Sequence, residues 1–337
     1  MRAYWLSFHV DYACRHSGAC CTSGWPIPVE RNRVVPIQRV VESGTASAAT
    51  PWLDPAPEAP DDVAGTLALR PTGECVFFEL PTRIALPTRG ALPSSGKCAV
   101  HSVRPASCAH FPYVCLIDAR GVRVTLSHYC PTAASLLFDH RGPTAIVEAP
   151  APGLDAPEGL DAREALPPLR HETRLMSFEE FSAWEGGQVA IIKRFADSPG
   201  DDDERLFDAA RAAVPAPLTW PGVPEDAARI WSALVAPAWP GFAEVEDRYL
   251  AAKLFACWSA YLGDGTRAVL HSVRTARAVL RFEAVRACVD AGRVLDRTLL
   301  TQAIRQSDLL LVHYADRTRL ANPEPISSTD RRPGSRR

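Results

Sequence analysis

The sequence predicts an α+β protein: a small irregular cysteine-rich metal-binding domain with short strands, followed by an all-α helical domain. Three observations carry that expectation. Eight of the ten cysteines fall between residues 14 and 130. The same region holds short β-rich runs separated by Pro- and Gly-rich turns. Beyond residue 170, apolar residues recur at helical spacing behind helix-start signals.

A length of 337 residues suits about two domains. The expected division is a cysteine-cluster domain over 1–147, a linker over 148–169, a helical domain over 170–320 and a disordered tail over 321–337. "SGTASAATPWLDPAPEAPDD" (43–62) and "ALPTRGALPSSG" (85–96) read as loops. Strands are expected at "TLALR" (66–70), "CVFFEL" (75–80) and "RVTLSHY" (123–129), each short and β-rich. The Ala-, Pro- and Asp-rich "EAPAPGLDAPEGLDAREALPPL" is a linker by composition. Ser177 stands three residues before Glu180, a capping box opening a helix. "PEDAARIWSALVA" (224–236) opens on proline and two acids, suiting a helix N-terminus. "VEDRYLAAKLFACWSAYLG" (245–263) puts Leu250, Leu254, Cys257, Trp258 and Tyr261 on one helical face. Two further helices are expected near 265–291 and 297–314. The acidic run at 201–204 reads as a solvated helix entry.

A net charge of −2 gives no reason to expect nucleic acid or an anionic membrane as partner. The longest apolar runs, such as "LLLVHY" at 309–314, are too short to span a bilayer. The first residues lack a continuous apolar stretch, since His9 and Asp11 interrupt it, so no signal peptide is read and a cytoplasmic location is expected. Thiols stay reduced there, which turns a cysteine cluster from a disulfide framework into metal ligation or redox chemistry. The candidate metal ligands are Cys14, Cys20, Cys21, Cys75, Cys98, Cys108, Cys115 and Cys130. Cys257 and Cys288 lie among apolar residues at helical spacing and read as core.

Four sulfurs complete a tetrahedral zinc or one iron–sulfur cluster, so eight serve one site with spares or two sites. The chain has no C-x2-C pair, the usual zinc-ribbon device. Cys130 precedes Pro131, as at the end of bacterial cluster-binding runs. An iron–sulfur cluster, [4Fe–4S] first, is therefore expected ahead of zinc. Adjacent side chains diverge in a turn, so one of Cys20 and Cys21 is expected to ligate and the other to serve a second site or act as a redox partner. Lys97, Arg104, Arg120 and Arg123 against Asp118 alone give the 96–130 region cations to offset thiolate charge. His101, His110 and His128 are candidates for hydrogen bonds to sulfur or for ligation. Trp25 reads as a cover over the metal or as an ordinary core aromatic.

The runs "CRHSGACC", "GECVFFE", "GKCAVHSVRPASCAHFPYVC" and "LSHYCP" resemble the YkgJ-type cysteine-cluster family, described as a zinc- or iron-chelating domain. The resemblance covers roughly residues 10–140, and Cys98, Arg104, Pro105, Cys108, Phe111 and Pro112 fall in register with its most specific block. It departs at Ser17, where the family pattern has a cysteine; Cys115 is a candidate substitute. More loosely, "CCTSGWPIPVE" and "EDRYLAAKLFACWSAYLG" are similar to flagellin lysine N-methylases of the FliB type. That likeness implies a protein substrate and S-adenosylmethionine as a methyl donor. No Walker motif, G-x-G-x-x-G loop, H-E-x-x-H or C-x3-C-x2-C run supplies independent evidence of an enzyme. Three functions remain open: a metal-cluster protein with redox or catalytic activity, a lysine methyltransferase-like enzyme, and a zinc-stapled protein-interaction module.

Overall fold

The structure, a computed structural model, describes residues 2–44, 51–56, 58–79, 96–152, 159–171, 173–192 and 202–322. Residues 45–50 and 57 of the first expected loop, nearly all of the second, the middle of the expected linker and nearly all of the tail lie outside them. In chain order the strands are β1 (Ala3–Leu6), β2 (Pro28–Glu30), β3 (Leu53–Pro55), β4 (Val63–Leu67), β5 (Phe78–Glu79), β6 (Lys97–Cys98), β7 (Tyr113–Asp118), β8 (Gly121–Leu126), β9 (Ile146–Ala149), β10 (Gly159–Asp161), β11 (Leu169–His171) and β12 (Arg174–Leu175). The helices are α1 (Arg31–Glu42), α2 (Ala106–His110), α3 (Pro131–Asp139), α4 (Phe178–Ala190), α5 (Asp203–Ala212), α6 (Ala227–Ile230), α7 (Ala243–Leu254), α8 (Ser259–Leu262), α9 (Thr266–Ala291), α10 (Arg297–Asp308) and α11 (Arg317–Ala321). The α+β expectation holds, with strands concentrated before residue 176 and helices dominating after it.

A five-stranded mixed sheet runs in the order β10-β7-β8-β1-β9. Its centre is the β7–β8 hairpin, beside which β1 lies parallel to β8. Gly121 closes the hairpin at φ +114°, where a Cβ would sit 2.6 Å from the Arg2 carbonyl oxygen. Val122, Val124 and Leu126 are buried along β8, the strand expected at 123–129; the chain leaves the sheet before Ser127. The expected linker instead supplies sheet: β10 pairs in parallel with β7 through Gly159–Cys115. Gly159 allows this, since a Cβ there would lie 2.1 Å from the Cys115 carbonyl oxygen.

The helical half is built around α9. Its buried face carries Val269, Val273, Ala276, Leu280, Ala284 and Cys288, so Cys288 is core as expected. The same cluster takes in Leu6 and Leu116 from the sheet, Phe8 from the turn after β1 and Leu137 from α3. The boundary expected at 147 is therefore crossed by a continuous apolar core: the sheet packs with the helices. A separate cluster holds Val29, Ile37, Trp52, Leu67, Val76, Phe77, Phe78 and Val100 together with Cys21 and Cys75. It forms a cysteine lobe on the three-stranded sheet β2-β4-β3.

Several helices match their signals. Ser177 accepts from the Glu180 backbone N–H at 3.0 Å while Glu180 accepts from the Ser177 N–H at 2.9 Å, closing the capping box of α4. The expected helix 245–263 is broken. Ala256 takes a φ of +57°, and its N–H donates to the Glu185 carboxylate at 3.2 Å. That tertiary bond removes a donor from the α7 ladder and ends the helix at Leu254. Asp203, within the acidic run expected to be solvated, turns to α9 and pairs with Arg281 at 3.2 Å.

Candidate functional site

The cysteine segments are anchored by packing on one ring. Gly18, at φ +76°, and Gly96 both lie against Phe78, so close that a Cβ would stand 2.3 Å and 2.2 Å from its Cε2. Phe78 is buried and sits at the head of β5, paired directly with Cys98 on β6. Gly18 starts the short helical turn Ala19–Cys21. The Cys75 N–H donates to the Cys21 carbonyl at 2.8 Å, tying the Cys75 turn to that segment. From the other side, both Glu30 carboxylate oxygens accept from the Ala106 N–H, at 3.1 and 3.2 Å, and so hold the start of α2, the helix that carries Cys108. Cys130 is the N-cap residue of α3, with Pro131 in the first helical position.

These anchors bring six cysteines to one pocket of about 520 Å³. Cys14, Cys20, Cys21, Cys98, Cys108 and Cys130 line it with Tyr12, His16, Ser17, His101, Arg104 and Phe111. Cys75 lies just behind, buried in the lobe core with Cys21. Cys115 is placed elsewhere: it is fully buried within β7, packed with Trp5, Val124 and Leu126 inside the sheet. Cys257 lines a different cavity, among the helices. No three cysteine sulfurs of the described residues lie mutually within 4.8 Å.

The thiols are electrostatically unequal. Cys20, Cys21 and Cys98 lie near one another, and the Cys21 thiol beside the other two is the largest influence on all three. Cys20 is brought down to about 7 by the neighbouring Cys21 thiol, with the Arg104 charge helping against burial. Cys98 moves down for the same reasons, while Cys21 moves up. Burial pushes Cys75 up to about 11 and raises Cys108 and Cys130. Tyr12 Oη lies 3.6 Å from Cys130 Sγ. Arg104 touches the His101 ring and acts on Cys20 and Cys98 through its charge.

The remaining histidine and tryptophan candidates sort by position. His101 is at the pocket. His110 Nδ1–H donates to the Ala106 carbonyl at 2.8 Å and faces a neighbouring groove. His128 is buried away from the sulfurs: one ring nitrogen meets His9 Nε2 at 3.1 Å, and its backbone N–H donates to Asp308 at 2.5 Å. Asp308 also pairs with Lys253 at 2.5 Å and accepts from the Tyr249 hydroxyl at 3.1 Å. Trp25 stacks on His313 with ring centroids 4.2 Å apart, alongside Phe111 and Tyr129. It covers the groove, not the sulfur pocket.

That groove, of about 920 Å³, joins the two halves. Cys20, Trp25, Cys108 and Phe111 line it from one side, Trp258, His313 and Arg317 from the other. Trp258 and Arg317 continue into a second cavity of about 730 Å³ with Lys253, Cys257 and Thr275. The Arg317 guanidinium stacks 3.6 Å from the Trp258 ring centroid. Sequence reasoning missed His16, Lys253, Asp308 and His313, because nothing local distinguishes them; His16 alone had a hint, standing two residues after Cys14.

In comparisons with known proteins, no family model, no curated protein and no solved structure matches this chain. Among the described residues no helix is long and apolar enough to cross a membrane.

Proposed function

We propose that this chain is a metal-binding cysteine-cluster protein whose sulfur pocket holds an iron–sulfur cluster, with zinc as the alternative occupant. The carrying observation is convergence: six cysteines drawn from positions 14 to 130 line one pocket. The donor chemistry fits, because soft thiolates select iron–sulfur clusters and zinc. Spacing favours the cluster. A tetrahedral zinc draws four sulfurs to roughly 3.8 Å from one another, tighter than any three cysteines stand here. A four-iron cube interposes an iron between each sulfur and the core and so accepts wider spacing. Cys20, Cys21, Cys98 and Cys108 are the first candidates to hold it, with Cys75 and Cys130 beside them.

The test is metal analysis and visible absorption of anaerobically purified protein and its variants. Cys98→Ser and Cys108→Ser are expected to lose the metal and any dithionite-bleachable absorption. Cys115→Ser and Cys288→Ser are expected to keep both. Equal loss in all four variants, or metal-free colourless wild type after iron and sulfide reconstitution, contradicts the proposal.

The groove favours a second reading, an enzyme acting on a protein surface, with lysine methylation from S-adenosylmethionine implied by the family resemblance. A substrate lying there would touch both the cysteine lobe and the helices. Reconstituted protein incubated with labelled S-adenosylmethionine and flagellin decides it; no methyl-lysine and no calorimetric binding of the donor removes it and leaves the metal reading intact.

A further inference from the structure

The sulfur pocket leaves one of its cysteines with different company. Cys14 Sγ and one ring nitrogen each of His16 and His101 lie within 4.8 Å of one another, the only such three-donor group among the described residues. The His16 and His101 rings meet edge-on, with centroids 4.4 Å apart at 61°. Two features hold the arrangement. His16 adopts a φ of +54°, uncommon for a residue with a side chain, and this bends the loop back on itself. The His16 backbone N–H then donates to Cys14 Sγ at 3.4 Å, which fixes where the sulfur stands relative to the ring. His101 comes from the opposite wall, at the first position of the turn His101–Val103.

We propose that Cys14, His16 and His101 form a second metal site, for zinc or a similar borderline divalent cation, with one coordination position open to solvent. It goes beyond the sulfur-rich centre proposed above and rests on different atoms. The donor set differs in kind: one thiolate and two imidazoles suit zinc, whereas the Cys20–Cys21–Cys98 group offers sulfur only. Tetrahedral zinc sets nitrogen and sulfur donors roughly 3.3–3.7 Å apart, so closure needs rotations of about an ångström in a loop and a half-buried ring. Arg104 contacts His101 Nε2, so loading requires the guanidinium to withdraw or the ring to bind through Nδ1. Cys14 and His16 are exposed, and no fourth His, Cys, Asp or Glu of the described residues joins the group. Water would complete the shell of such a site. Three protein ligands with an open position are the arrangement of zinc that activates water or exchanges, not of a structural staple.

The experiment compares zinc bound per chain, under reducing anaerobic conditions and without an affinity tag, in wild type, the double variant His16→Ala/His101→Ala, and Cys98→Ser. The double variant is expected to lose one zinc per chain and to retain the sulfur centre's absorption. Cys98→Ser is expected to do the reverse. Undiminished zinc in the double variant overturns the inference. Loss there, with no change in Cys98→Ser, overturns the sulfur centre and leaves this site standing. Should the double variant unfold, X-ray absorption of zinc-loaded wild type decides: imidazole scattering in the zinc shell supports the site, and a shell of sulfur alone overturns it.

Discussion

Gly18 and Gly96 are the two positions where a single methyl group would disturb the sulfur pocket. Each presses its backbone on Phe78 from a different segment, and that ring fixes how far the Cys20–Cys21 turn stands from Cys98. Gly18→Ala adds a Cβ 2.3 Å from Phe78 Cε2 at a φ of +76°. The expected loss is about 1–3 kcal/mol from overpacking and the left-handed backbone, together with reduced metal retention. Gly186 is the control. It lies inside α4, and a Cβ added there would meet nothing within 4 Å, so Gly186→Ala is expected to gain about 0.5–1 kcal/mol. Denaturant unfolding of both variants checks the pair; a neutral Gly18→Ala would mean that Phe78 moves aside freely.

At the scale of elements, the β7–β8 hairpin meets α4 and α8 through buried charge. Arg120 pairs with Asp118 at 2.7 Å and with Glu185 at 3.1 Å, and Arg123 reaches Glu185 at 2.9 Å. Tyr261 donates to Asp118 at 2.7 Å. Glu185 thus compensates two arginines and ends α7 through Ala256. Glu185→Ala leaves Arg123 without its carboxylate and Arg120 with Asp118 alone, and the expected cost is about 3–5 kcal/mol, read by chemical denaturation; a loss below about 1 kcal/mol would show that water reaches Arg123. This network also marks where the sequence was legible. The capping box of α4 and the span of α9 follow from local pattern and were readable. The break at 255–258 was not, because its cause is a carboxylate 71 positions away. β10 was hidden by its own Gly- and Pro-rich composition, since the partner that orders it is β7. The cysteine cluster was legible as a cluster. The separation of Cys115 from Cys108 was not, since only the strand pairing of β7 buries one inside the sheet while α2 turns the other to the pocket.

At the scale of the whole molecule, the sheet and the helices share a core, and their seam holds His9, His128, Lys253 and Asp308. Burial lowers both histidines, which stay neutral in the fold. Burial alone would raise Asp308, but Lys253 and His128 more than offset it and hold its carboxyl well below the usual range. All three groups titrate lower folded than unfolded, so the unfolded chain takes up protons first as pH falls. Stability is expected to be full above about pH 6.5, the free histidine value, and to decline steadily below it. Urea titrations from pH 8 to 4 check this, and a flat profile between 7 and 5 would contradict it. Metal removal should act on a different part of the molecule. The lobe around Phe77, Phe78, Val29 and Ile37 is small and carries Cys21 and Cys75 in its core, whereas the sheet draws its stability from Leu6, Leu116 and the helices. A small core gains disproportionately from bound metal, on the order of 10 kcal/mol in structural zinc sites. Chelation under reducing conditions is therefore expected to loosen residues 14–110 while β1, β7, β8 and the helices keep their protection. Hydrogen exchange before and after chelation reads this segment by segment. Loss of protection throughout β7 and β8 would show that the metal holds the sheet as well, and no change in the lobe would show that its apolar core is sufficient without metal.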